Sequence, residues 1–335
     1  MQRSFPYLDS RPSFTAMAAA SPDIRNRGLG VVLGQHSMSS QGNLHAQTLF
    51  EVKDFAAVVT GGGSGIGLMA AHTLADNGAR VYILGRRLDV LQRAAEKYSG
   101  GNGGGKIVPI SGDFTHTDGI RTLIAEIGKH EPGGINILIN NASVTAEDKA
   151  RQEAHDIDFS NAEAVSKWMV EDGPDAWRQE YAGNIAAHHF FTAAMLPLLN
   201  KARQQTHGHS SAIINIASAA GLTKTHSHGQ FAYSSTKAAF MHLTKEWAHT
   251  FLPLRIRVNC IAPGVFPPFL PDDGLDESQK AKLEKVGHQI PAGRPGKESD
   301  IGSAILYLCS RGGTYVNGQI LHVDGGILLK TPSTT

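Results

Sequence analysis

From residue 55 onward, short β-rich runs alternate with longer amphipathic runs. The strand candidates are AAVVT (56–60), ARVYILG (79–85), KIVPIS (106–111), INILIN (135–140), SAIINIAS (211–218), IRVNCIA (256–262) and QILHVDG (319–325). Several are continuous apolar runs rather than strict alternations, the pattern of strands buried on both faces in a parallel sheet. Helical patterns lie between them, near 66–77, 88–98, 118–130, 175–200, 233–250 and 300–310. Repeated β-α-β implies crossovers of one hand. The expected fold is one α/β domain over residues 51–330, a doubly wound, parallel, seven-stranded sheet with helices on both faces. Residues 1–50, rich in Ser, Ala and Gly, lack sustained periodicity and read as an irregular, disordered extension.

Two stretches are glycine-rich enough to wrap a phosphate: Thr60–Gly67 (TGGGSGIG) and Gly100–Lys106 (GGNGGGK). The first follows a strand and opens a helix, whose free N–H groups and partial positive charge suit a pyrophosphate. Within it Gly61 permits the tight turn, Gly65 lets backbone approach the phosphates, and Gly67 allows close helix packing; Ser64 and Ile66 complete the loop. The second stretch follows a helix and precedes a strand. It lacks the Ser or Thr that a P-loop requires after its Lys, since Ile107 stands there. It reads as a flexible surface connection.

The second strand ends ILGRR, where NAD-binding sheets carry an acid for the ribose 2′-hydroxyl. Arg86 and Arg87 occupy that place and suit a 2′-phosphate, unless they are simply a solvated helix start. NADP(H) is therefore favoured over NAD(H), with Arg86 as first candidate. Asp113, after the third strand, stands where an adenine amino group is met, or caps the next helix. Tyr233 and Lys237 are four apart in a helical pattern and share a face. Ser218 ends the fifth strand, at the carboxyl edge where such sheets bind ligands. Asn184 lies in the preceding long helix. Each has a bland alternative: a cap, an internal helix bond, a chance pair.

Composition narrows the partners. The chain has 335 residues, 31 basic and 30 acidic, a formal charge of +1. That balance argues against nucleic acid or an anionic membrane surface as the main partner. No apolar run reaches the ~18 residues of a membrane span. Cys260 and Cys309 sit in apolar stretches and read as core residues in a reducing, cytoplasmic compartment. Arg3, Arg11, Arg25 and Arg27 suggest a mitochondrial presequence within 1–37, against which Asp9 and Asp23 count. The 16 His show no metal-ligand spacing.

Taken in order, TGGGSGIG, Asn140-Asn141-Ala142-Ser143, Asn184, Ser218, Tyr233-x-x-x-Lys237 and Pro263-Gly264 resemble the short-chain dehydrogenase/reductase family from about Val52 to Leu328. The segments are similar to its 3-oxoacyl-carrier-protein-reductase-like branch, which includes fungal carbonyl reductases of secondary metabolism. The resemblance implies a Rossmann-type fold and hydride transfer between a nicotinamide and a carbonyl or secondary alcohol, without a metal. It implies Tyr233 as general acid, its phenolate favoured by Lys237, which also holds the nicotinamide ribose. Ser218 would stabilise the carbonyl oxygen, and Asn184 would anchor a water linking Lys237 to solvent. Asn140 and Val265 would contact the cofactor, Val265 through its backbone at the carboxamide. It also implies a homodimer or homotetramer through helices near 177–200 and 233–250.

Three departures stand out. Ser143 replaces the usual Gly of the Asn-Asn-Ala-Gly motif. Pro268 stands where a pyrophosphate-touching Thr is common. The stretch between Ser218 and Tyr233 is slightly long and holds His226 and His228, in a solvated loop or at the substrate mouth. Substrate choice falls to the loops 144–175 and 265–295, where Phe266, Phe269 and Leu270 favour a medium-sized ketone or β-keto thioester. An NAD-dependent alcohol dehydrogenase is the alternative within the enzymes. A cofactor-binding regulator without turnover is the alternative outside them.

Overall fold

The computed structural model describes residues 43–145, 157–225, 229–271 and 276–334. The expectations for 1–42, for His226 and His228, and for parts of the two substrate loops lie outside them.

AAVVT folds as β1 (Ala56–Thr60), buried along its whole length. It lies between β2 (Arg80–Gly85) and β4 (Ile137–Asn140), with Val58 level with Tyr82 and Leu138. The other strands are β3 (Lys106–Ser111), β5 (Ala212–Ile216), β6 (Arg257–Pro263) and β7 (Ile320–Val323). The sheet is parallel in the order β3-β2-β1-β4-β5-β6-β7. The chain winds outward from β1 to β3, then restarts at β4 on the other side. The crevice between the carboxyl ends of β1 and β4 is therefore the topological switch point.

Because successive strand residues face opposite ways, each strand feeds two cores. Ala57 and Val59 pack against α1 (Gly65–Asp76), α2 (Leu88–Tyr98) and, farther along the sheet, α9 (Glu298–Cys309). Ala56 and Val58 belong to the opposite face with α3 (Thr117–His130), α6 (Ala187–Gln205) and α7 (Phe231–Thr250). Helices thus cover both faces, anchored by fully buried side chains such as Leu68, Ile305, Phe191 and Met195.

Three features depart from the periodicity. The run 175–200 is not one helix: α5 (Gly173–Tyr181) passes through a π-turn, Ala182–Ala186, into α6. Two helices were not expected. In α4 (Ala162–Val170), Asn161 Oδ1 accepts from the Glu163 and Ala164 N–H groups; α8 (Glu277–Gly287) starts with a capping box of Asp276 and Gln279. Finally, Ala46–Leu49 forms a helical turn inside the stretch expected to be irregular. A Cβ on Gly312 would stand 3.0 Å from the Leu49 carbonyl oxygen, so that turn packs closely on the domain.

Candidate active site

The switch point is stitched by Thr60 and Asn141, which lie in the two motifs without a role of their own there. The Thr60 hydroxyl accepts from the Asn141 N–H (2.9 Å) and the Ala142 N–H (3.1 Å). Asn141 Nδ2 donates to the Thr60 carbonyl (3.0 Å) and the Gly61 carbonyl (3.2 Å). Gly61 turns there with φ +65°, and a Cβ on it would lie 2.9 Å from Ala142 Cα. A Cβ on Gly67 would fall onto the Gly61 carbonyl and Asn141 Nδ2. The first turn of α1 contains no acidic residue, and Ser64 makes no side-chain capping bond. The positive end of the helix therefore faces the crevice without an internal anion. The Gly65 N–H donates to the Phe269 carbonyl (2.7 Å), which belongs to the segment carrying Pro267 and Pro268 across the loop.

A cavity of about 700 Å³ runs from this loop to α7. At one end it is lined by Gly85, Arg86, Arg87 and Asp113, and Arg86 and Arg87 are exposed. Asp113 is fixed: Oδ1 accepts from the Thr115 hydroxyl (2.7 Å) and N–H (2.9 Å). These bonds hold its carboxyl below the usual range, with Arg86 contributing a smaller attraction. Asp113 thus braces its own turn, and the N-cap position of α3 is held by His116, which makes no side-chain capping bond.

Tyr233 and Lys237 line the other end, along with Ile216, Ala217, Ser143 and Val144. Both project from α7, and Lys237 Nζ lies 5.4 Å from the Tyr233 ring centroid. The ammonium is buried and donates to the Ile216 carbonyl at 3.2 Å. Ser218 follows β5 and begins the 3₁₀ turn Ala219–Gly221, its hydroxyl accepting from the Ala220 N–H (3.2 Å).

Asn184 sits within the π-turn, a feature that often marks functional sites. Its Oδ1 accepts from the Val144 N–H (2.8 Å) and the Ser143 hydroxyl (3.2 Å). Its Nδ2 donates to the Val144 carbonyl (3.0 Å) and the Thr236 hydroxyl (3.3 Å). All four capacities of the amide are engaged, so the side chain clamps the segment after β4 to α7. Ser143, the departure from the usual glycine, is one of its partners. One turn on, His188 Nε2–H donates to the Ala142 carbonyl (2.7 Å) from a fully buried site. Burial pushes this imidazole down to about 4, so it stays neutral at pH 7.

Neither Asn140 nor Val265 is among the residues lining this cavity, although Gly264 and Phe266 on either side of Val265 are. Asn140 is fully buried below the cavity, where Nδ2 donates to Thr192 (2.8 Å) and Asn215 (2.9 Å). Its neighbour Asn141 lines the cavity instead. Val265 lines a smaller pocket of about 200 Å³ with Ile290, His322 and Asp324.

The family model described as enoyl-(acyl carrier protein) reductase matches residues 61–328. The chain is 34% identical over 305 residues to the short-chain dehydrogenase/reductase PhomF of Diaporthe leptostromiformis, covering 89% of this chain and 99% of that protein. The chain belongs to the short-chain dehydrogenase/reductase family. It is also 30% identical over 274 residues to the 3-oxoacyl-[acyl-carrier-protein] reductase FabG of Chlamydia pneumoniae, covering 81% of this chain and 95% of that one. Among solved structures, the Pseudomonas aeruginosa RhlG/NADP active-site complex aligns with a TM-score of 0.65 and 26% identity, over 84% of this chain and 98% of that chain. As a short-chain dehydrogenase/reductase the chain is an NAD(P)-dependent oxidoreductase. The switch-point crevice fits a nicotinamide dinucleotide: a helix end with no side-chain cap and no acidic residue in its first turn, backbone at Gly61 and Gly67 that a Cβ would obstruct, and a cavity that continues to Tyr233 and Lys237.

Proposed function

We propose that this chain is an NADP(H)-dependent carbonyl reductase in which Tyr233 delivers the proton. The carrying observation is that one cavity joins the glycine loop, Arg86 and Arg87 to Tyr233 and Lys237. Gly61, Ser64, Gly65, Ile66 and Gly67 would hold the pyrophosphate, and Arg86 the 2′-phosphate. A bound reduced nicotinamide supplies the hydride. The Tyr233 hydroxyl gives its proton to the substrate carbonyl oxygen, and the Lys237 ammonium, 5.4 Å from the ring, stabilises the phenolate left behind. The Ser218 hydroxyl donates to the same oxygen as charge develops. Asn184 holds the Val144 segment and α7 in register for these contacts.

The test is a titration with NADPH and NADH, following nicotinamide fluorescence, with Tyr233→Phe and Arg86→Ala beside the wild type. Tight NADPH binding, a loss of about tenfold or more in NADPH affinity for Arg86→Ala, and a fall of about 100-fold or more in ketone reduction for Tyr233→Phe support the reading. Preference for NADH overturns the 2′-phosphate role. An unchanged Tyr233→Phe rate overturns the proton donor.

The same reading includes a homodimer or homotetramer built on α5 to α7. Trp177 and Tyr181 stack at 6.2 Å on the exterior there, and Phe190 is 62% exposed.

A further inference from the structure

Ser218 and Tyr233, the two groups proposed to face the substrate oxygen, bound one connection, and its first part, Ser218–Lys224, is held from two sides. On the inner side, the turn Ala219–Gly221 lies directly on α7: a Cβ on Gly221 would stand 2.6 Å from the Ala238 nitrogen and 2.8 Å from the Lys237 carbonyl carbon. From Leu222 the chain leaves that helix and meets the C-terminal segment Thr331–Thr334. Thr223 and Ser333 form an antiparallel bridge. The Lys224 N–H donates to the Pro332 carbonyl (2.7 Å), and the Thr334 N–H to the Leu222 carbonyl (2.8 Å). The Thr334 hydroxyl reaches the same carbonyl at 3.3 Å. The segment is itself anchored, since the Ser333 hydroxyl donates to the Leu328 carbonyl (3.0 Å). Upstream, Asp324 fixes the Gly326 and Leu328 N–H groups at 2.9 and 3.0 Å.

We propose that Thr331–Thr334 is a positioning strand for the carbonyl substrate: it fixes the outer side of Ser218–Lys224, which carries the Ser218 hydroxyl, and so governs how well a ketone is seated. The inference rests on the reductase reading. The bonds across the bridge end on Leu222 and Lys224, four and six residues after Ser218, so the strand bears on the Ser218 end of the site. Two backbone bonds are few enough that a single residue shifts their balance.

The experiment compares four proteins: the full chain, a chain stopped after Thr331, Thr334→Pro and Thr334→Ala. Proline removes the N–H donated to Leu222, and alanine keeps it. Each is titrated with NADPH and assayed for KM and kcat on a ketone that the full chain reduces. The expected result is a KM for the ketone raised about tenfold in the truncated chain and severalfold in Thr334→Pro. Thr334→Ala stays close to wild type, and NADPH affinity stays within about twofold throughout. A truncated chain with wild-type KM and kcat overturns the proposal. So does a parallel loss of NADPH affinity, which identifies a general role in stability. If the full chain binds NADPH and reduces no carbonyl compound, the reductase reading fails and the inference with it. If it reduces the ketone and the variants match it, only the inference fails.

Discussion

The two glycine-rich stretches lie at opposite ends of one helix. Thr60–Gly67 leads into the N-terminus of α1; Gly100–Lys106 packs against its C-terminus. At the second site a Cβ on Gly103 or Gly105 would fall onto the carbonyl oxygens of Asp76 or Ala75, the last turn of the helix. The Asn102 N–H donates to Asp76 Oδ1 (3.0 Å), and the Gly100 N–H closes a turn on the Gly105 carbonyl (3.0 Å). This stretch is not the slack connection that its composition suggests; its glycines allow backbone to approach backbone. The lesson is electrostatic. An N-terminus offers N–H donors and positive potential to an anion, and a C-terminus offers carbonyl oxygens that repel one. Equal glycine content therefore means a ligand cradle at one end and a packing seam at the other.

The largest test of that contrast is Gly67→Ala. Its Cβ meets the Gly61 carbonyl and Asn141 Nδ2 at once, so loop and switch point must move together. We expect NADPH affinity to fall about 100-fold or more, with a stability loss on the order of 1–3 kcal/mol. Gly105→Ala is the mirror experiment: a similar loss in urea-unfolding free energy, on the order of 1–3 kcal/mol, with NADPH affinity unchanged. If Gly105→Ala weakened NADPH binding as Gly67→Ala does, the division of labour would be wrong.

Acid acts behind the first site. His188 holds the Ala142 carbonyl, and Ala142 packs on Gly61. Its folded pKa of about 4 lies below the ordinary 6.5, so between those values the unfolded chain binds more protons than the folded one. Stability then falls as pH drops through that window, by up to about 1.4 kcal/mol per unit from this residue. His209, also pushed to about 4 by burial and donating to the Cys309 carbonyl, adds a similar slope. Urea midpoints at pH 7 and pH 5 check the sum, and His188→Gln should remove about half of it. The smallest effect is Lys106→Ala. A P-loop lysine would be indispensable, whereas here we expect unchanged NADPH affinity and stability within about 0.5 kcal/mol.

Much of this was legible because it is written in short-range pattern. The seven strands are apolar runs, and each falls where the pattern puts it, with ends that match or shift by at most two residues. Thr60–Gly67 was legible from its place between a strand and a helix. The motif alone assigns Asn140 to the cofactor, although alternation tells against it. It shares a strand face with Leu138, which packs with Phe191 and Met195. Asn141, one residue on, points the other way. Helix α8 is charged and thinly apolar, so periodicity is silent there; for α4 and α8 alike, the capping residues Asn161 and Asp276 were available signals. The bond between Ser143 and Asn184, like the bridge between Thr223 and Ser333, joins residues far apart in sequence. No local pattern announces such a pair.

The π-turn at Ala182–Ala186 has a meaning in terms of insertions and deletions. The Ala187 N–H reaches back to the Ala182 carbonyl, five residues instead of four, so the helix carries one residue more than an α-helix of the same course. Each residue of an α-helix advances the side chains by about 100°. Loss of any one residue between 182 and 186 would let α5 and α6 fuse into a regular helix and turn one against the other by that angle. Either the Phe191, Met195 and Leu199 stripe would keep facing the sheet, or Trp177 and Tyr181 would keep their present side, but not both. A single codon thus separates a helix that only packs from one that packs and also delivers Asn184 to the segment after β4.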